Sequence, residues 1–138
     1  MIMNKDRERA VGAFRTYARL GLCNCGNALA LLCAARGCCS DGTALDMLAV
    51  FDTLRLLEYS GKGESARAVR EIYFSTSHRR VRANEITLRI RRLALESHCD
   101  ERTVWRRLDE ARRLWLLLRK SYLPSDAGSR EDIKALLG

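Results

Sequence analysis

Between residues 100 and 122 one apolar stripe, Val104, Leu108, Ala111, Trp115, Leu118 and Tyr122, recurs at intervals of three and four. Only an α-helix puts those side chains on one side, so the spacing predicts a long helix over 101–121. Asp100 stands just ahead of it, where a carboxylate accepts N–H groups of the first turn. A one-sided helix gains its stability by lying on other elements. Residues 84–97 offer the nearest partner, a second helix with Ile86, Ile90 and Leu93 on its inner face. Ala94 sits where the two must approach closely. Two helices meeting at a tight turn constrain this chain more than any other feature.

The remainder also reads as helix. One proline in 138 residues and the lack of alternating β-branched runs leave no convincing strand. A hydrophobic share of 47% supports a folded core and argues against disorder. Asn4 is placed to cap a first helix reaching about residue 20, with Asp6 and Glu8 near its positive end and Ala10, Val11, Phe14, Tyr17 and Ala18 on one face. Gly21 ends it. A shorter apolar helix follows over 27–36 and stops at Gly37. After a turn at 38–42, Thr43 or Asp46 begins a third helix, with Leu45, Leu48, Phe51 or Val50, Leu54 and Leu57 facing inward. Gly61 and Gly63 terminate it. A fourth helix over 64–74 buries Ala68, Val69, Ile72 and Tyr73.

Residues 75–83, STSHRRVRA, read as the most exposed linker in the middle of the chain. Its Arg79, Arg80 and Arg82 are candidates for phosphate contacts, although a solvated loop is the plainer use. Beyond residue 122, Pro124 and Gly128 break the chain, and Ser129 with Asp132 resembles a capping box for a short tail helix. The expected fold is therefore all-α in one domain, an N-terminal helical bundle followed by a C-terminal helix-turn-helix. Residues 1–75 would support or assemble, 76–122 would hold the helix-turn-helix, and 123–138 would be linker and short C-terminal helix.

Charge is concentrated on the middle region. Residues 1–61 carry seven basic and six acidic groups, residues 62–122 carry sixteen and eight, and the last sixteen carry two and three. The net charge of +8 thus sits on the segment with the paired helices. Such a segment attracts polyanions and gains affinity by releasing counterions from phosphates. All but four of the 25 basic residues in the whole chain are arginine, the side chain that makes forked contacts to guanine and phosphate. A solvated basic surface is the bland alternative.

Burial of the stripe leaves Glu101, Arg102, Thr103, Trp105, Arg106 and Asp109 outside near the leading end. Arg102 and Arg106, four apart, are the candidates for reading base edges in the major groove. Thr103, Trp105 and Arg107 would hold the backbone, with Glu101 at the start of the reading helix and Arg112 and Arg113 adding backbone contacts or outer salt bridges. For any single arginine the alternative is a helical ion pair, such as Arg106 with Glu110.

The segment HCDERTVWRRLDEARRL (98–114) resembles the reader half of the helix-turn-helix in region 4 of bacterial sigma factors. It is still more similar to that of phage late-gene transcriptional regulators of the RinA and ArpU type. There an acidic or serine cap precedes a Glu-Arg-Thr-Val-aromatic-Arg-Arg-Leu run, matched here by Asp100 through Leu108. The resemblance covers residues 84–118, a quarter of the chain. His98 departs from it, at a turn position usually held by glycine, and Cys99 replaces a usual buried aliphatic. The resemblance implies a phage or prophage regulator that binds double-stranded DNA, with N-terminal helices for support or assembly.

Other chemistries find little footing. Cys23, Cys25, Cys33, Cys38 and Cys39 are spaced unlike paired zinc knuckles, and neither metal nor cofactor is expected. No phosphate-binding glycine loop, HExxH or nucleophile elbow is present, so no enzyme and no catalytic residue are expected. The charged start lacks a signal sequence, and the longest apolar run, 28–35, is too short to span a bilayer. A cytoplasmic protein with reduced thiols is expected, with no membrane partner. Trp115-Leu-Leu-Leu118 holds more apolar positions than one face buries. Either the N-terminal helices wrap it, or Leu114 and Leu117 make a homodimer contact. The rival function is a sigma-region-like module that docks on RNA polymerase or another regulator through those leucines without reading DNA.

Overall fold

Several helix boundaries follow local chemistry in the computed structural model, which describes residues 4–78, 80–122 and 136–137. Helix α1 spans Asn4–Arg19 and ends where Gly21 adopts a φ of 73°, followed by a 3₁₀ turn at Leu22–Asn24. Helix α2, Ala28–Arg36, begins where the Asn27 side chain accepts the Ala30 N–H at 2.8 Å. Helix α3 spans Asp41–Tyr59, capped by Ser40, whose hydroxyl accepts the Thr43 N–H at 3.3 Å. It therefore starts earlier than Thr43 or Asp46, because serine supplies the cap that neither of those needs to provide.

Helix α4, Gly63–Val69, runs straight into a π-helical turn at Arg70–Phe74. The wider turn is closed by the Ser75 N–H donating to the Arg70 carbonyl at 3.2 Å. Helices α5, Glu85–Glu96, and α6, Glu101–Ser121, complete the chain. Among the described residues all regular structure is helical and no strand occurs.

One hydrophobic core runs from α1 to α6. Helix α3 lies at its centre, against α1, α2, α4 and α6. It buries Ala44, Met47, Ala49, Val50, Phe51, Leu54 and Leu57. The expected inward pair Leu45 and Leu48 is only half-buried. A helix surrounded by neighbours buries several faces, and no single stripe describes it.

Helix α6 buries the expected stripe, with Val104, Leu108, Ala111 and Trp115 fully inaccessible. The Trp115 indole donates to the Asp46 carbonyl at 3.1 Å, and the Arg9 guanidinium stands 5.3 Å from its ring centre. Arg119 Nε reaches the Asp46 carboxylate at 2.6 Å and Arg9 reaches it at 3.4 Å. Asp46 thus ties α1, α3 and α6 together. Leu114 is also fully buried, and Leu117 is half-buried. Wrapping by the other helices, one of the two alternatives for this apolar run, absorbs Leu114.

The linker is less exposed than expected at its start. Thr76 and Ser77 are buried, their hydroxyls donating to the carbonyls of Ile72 at 2.9 Å and Phe74 at 2.8 Å. Those bonds satisfy polar side chains that composition alone would assign to solvent. Arg80 and Arg82 are exposed. Arg79, the Asn4 side chain, Pro124 and the tail helix expected after Ser129 lie outside the described residues.

Candidate nucleic-acid interface

The site is built from the end of α5, the turn at Ser97–Asp100 and the leading half of α6. Helix α5 places Ile90, Leu93 and Ala94 in the core and half-buries Ile86. The chain then reverses through His98, whose φ of 54° lies in the left-handed region. The Cys99 N–H donates back to the Ala94 carbonyl at 3.0 Å and the His98 N–H to Leu95 at 3.3 Å. This paired closure of a helix end normally uses glycine, because a Cβ crowds the carbonyl at positive φ. Cys99 is half-buried against the core, as a small hydrophobe.

Asp100 caps α6. Its carboxylate accepts the Thr103 N–H at 2.8 Å and the Thr103 hydroxyl at 2.7 Å. Those two bonds hold the carboxyl below its ordinary range, and the nearby Arg102 and Arg106 charges add to the effect. The carboxylate therefore stays ionised where the helix end presents its free N–H groups.

The six expected interface residues divide into two groups. Arg102, Trp105 and Arg106 are exposed on the leading turns, with Trp105 42% accessible. Neither Arg102 nor Arg106 has a hydrogen bond or ion pair among the described residues, so the alternative pairing of Arg106 with Glu110 does not form. Glu110 instead binds Lys62 at 3.2 Å and the Ser65 hydroxyl at 3.3 Å.

The second group is already engaged. Glu101 is exposed and paired with Arg91 at 3.3 Å. Thr103 turns its hydroxyl back to Asp100. Arg107 is half-buried against α4, 3.8 Å from Glu64 and 3.7 Å from the Cys99 sulfur. Its side chain braces the turn and does not project with Arg102 and Arg106.

Of two further arginines, Arg112 departs from expectation and Arg113 forms the outer salt bridge, one of its two expected uses. Arg112 is buried, donating to the Tyr73 hydroxyl at 2.7 Å and to Asp109 at 3.3 Å. Arg113 is exposed but held by Asp109 at 2.9 Å. Sequence spacing puts Arg112 among the outer arginines, and the structure corrects that. The spacing gives no sign of Tyr73, thirty-nine positions away, whose hydroxyl makes the burial tolerable.

All six cysteines are free thiols. Among the described residues no cluster of three or more His, Cys, Asp or Glu is arranged to hold a metal ion, and no helix is long and apolar enough to cross a membrane. No protein-family model matches the chain, and no curated protein or solved structure matches it either.

Proposed function

We propose that this chain is a sequence-specific, double-stranded DNA-binding transcriptional regulator, with α5 and α6 as a helix-turn-helix and the leading turns of α6 in the major groove. The reading includes a phage or prophage origin and a non-enzymatic role. Its main support is the contrast between paired and unpaired arginines on α6. Arg107, Arg112, Arg113 and Arg119 each have a partner within the molecule. Arg102 and Arg106, one turn apart beside the capped end, have none by hydrogen bond or ion pair among the described residues. Two free guanidinium groups on one exposed face suit forked contacts to guanine or phosphate.

Activation would add a contact to RNA polymerase, and a homodimer would read two half-sites. The docking-module alternative loses Leu114 to the core. Salt separates the two readings, since DNA binding weakens steeply as counterions are added and apolar docking barely responds.

The test is selection from random duplex DNA by the full chain, with the Arg102→Ala/Arg106→Ala variant in parallel. Wild type is expected to enrich a motif that the variant loses, each arginine accounting for about 1–3 kcal/mol of discrimination. No enrichment from folded wild-type protein would reject the reading.

A further inference from the structure

A concavity of about 600 Å³ lies between the last turns of α1 and the segment leading to α5, lined by Arg15, Arg19, Thr76, Ser77, His78 and Arg80. No described lining residue is acidic. Arg19 and Arg80 are exposed and have no hydrogen-bond or ion-pair partner among the described residues. Arg15 is more constrained. Its guanidinium stands 5.8 Å from the Tyr73 ring centre, and its Nε is buried with no hydrogen-bond partner. A buried N–H without an acceptor is uncommon in a folded protein, because losing water without replacement is costly. Three like charges around one hollow repel each other.

One ligand chemistry relieves that repulsion, meeting the guanidinium ends and not the enclosed Arg15 Nε. A tetrahedral oxyanion carries enough negative charge for three guanidinium groups and enough lone pairs to accept several N–H donors at once. We propose that this concavity binds the phosphate group of a small phosphorylated ligand. The hollow is large enough for an ester body beside the phosphate. Thr76 and Ser77 spend their hydroxyl hydrogens on backbone carbonyls, so the arginines supply the donors. The site adjoins the start of α5, whereas Arg102 and Arg106 follow its end, separated by a helix about 18 Å long at 1.5 Å per residue. It is thus a separate site from the proposed DNA-reading face and does not depend on that reading.

The probe is inorganic phosphate, added to the full chain and followed by thermal unfolding and amide NMR against sodium chloride at matched ionic strength. Phosphate is expected to raise Tm saturably beyond the chloride control, since a ligand of the native state stabilises it. Arg19→Gln and Arg80→Gln alter exposed side chains outside the core, and each is expected to weaken binding about tenfold. Arg15→Lys keeps the charge but loses the fork, and the same direction is expected. The proposal is overturned by a Tm response equal to that of chloride, or by phosphate binding unchanged in both glutamine variants. Unlabelled duplex DNA is then added to the phosphate-saturated protein. Retention of the phosphate-shifted signals supports a small-molecule site, whereas their displacement reassigns the hollow to a DNA backbone phosphate and overturns it.

Discussion

The leading and trailing halves of α6 are equally rich in arginine, yet they use it in opposite ways. The leading half presents Arg102 and Arg106 to solvent next to a capped helix end. The trailing half turns Arg112 into the core against Tyr73 and fastens Arg119 to Asp46. What differs is the surroundings. Beyond Leu108 the helix passes between α1, α3 and α4, where Arg112 and Arg119 meet residues of other elements while Arg113 pairs within α6. Before Leu108 its neighbours are α5 and the start of α4, and one side stays open. An arginine's role here is set by how much of the bundle surrounds its turn.

The largest effect should come from exchanging the two roles. Arg112 is 4% exposed, and removing it leaves the Tyr73 hydroxyl without its partner and opens a gap beside Trp115's helix face. Arg112→Ala is expected to cost about 3 kcal/mol in chemical denaturation, as for breaking a buried charged contact. Arg112→Met, which fills the same space without a charge to desolvate, should cost much less. The Arg102→Ala/Arg106→Ala variant should stay within about 0.5 kcal/mol of wild type, as exposed substitutions do. Equal losses in the two regions would show that the division drawn along α6 is wrong.

Asp100 sharpens the leading end of the comparison. Asp100→Ala removes the acceptor for both Thr103 donors, and a Tm lower by about 3 °C is expected, whereas Asp100→Asn should retain most of the cap. Its acidity gives the sign of the pH dependence. The folded carboxyl titrates below its ordinary range, so its contribution is complete above the unfolded pKa and is lost as pH falls through the folded one. The Tm gap between wild type and Asp100→Ala should therefore close on acidification. A gap that persists into strong acid would mean that the carboxylate is not the source of the effect.

These contrasts also mark what the sequence makes legible. The α6 stripe and the Asp100 cap are readable because their causes are local, a repeat of three and four and a carboxylate one residue ahead of a helix. Helix α3 is legible only in its second half, where Val50, Phe51, Leu54 and Leu57 are buried as spaced. Burial on several sides of its first half turns Ala44 and Met47 inward while Leu45 and Leu48 are half covered. The Thr76 and Ser77 hydroxyls defeat a composition-based reading because each reaches back to a carbonyl of the preceding turn. Within the candidate site, the free arginines follow from the stripe by exclusion. The diversion of Arg107 depends on Glu64 in α4, forty-three positions earlier, a contact that spacing along one helix cannot reveal.

The smallest effect concerns the turn that sets how α6 leaves α5, and a matching turn after α3 serves as its control. At Gly61, φ is 76°, the Lys62 N–H reaches the Leu57 carbonyl at 2.8 Å and the Gly61 N–H reaches Glu58 at 3.3 Å. At His98 the same two bonds form at φ 54° with a side chain in place. Left-handed backbone costs a residue with a Cβ about 1–2 kcal/mol, while glycine gives back about 0.5–1 kcal/mol through the freedom of the unfolded chain. His98 is exposed and packs against little, so His98→Gly should stabilise the fold by about 0.5 kcal/mol. Nothing lies within 4 Å of where a Cβ would stand at Gly61. With no clash to add, Gly61→Ala should accordingly destabilise by about 0.5 kcal/mol, the backbone strain less the unfolded-chain freedom that alanine removes. Opposite signs from paired denaturation curves would identify His98 as a strained position held by the packing of α5 and α6. A loss of stability in His98→Gly would instead require the imidazole to make a stabilising interaction of its own, and the two turns would no longer be equivalent.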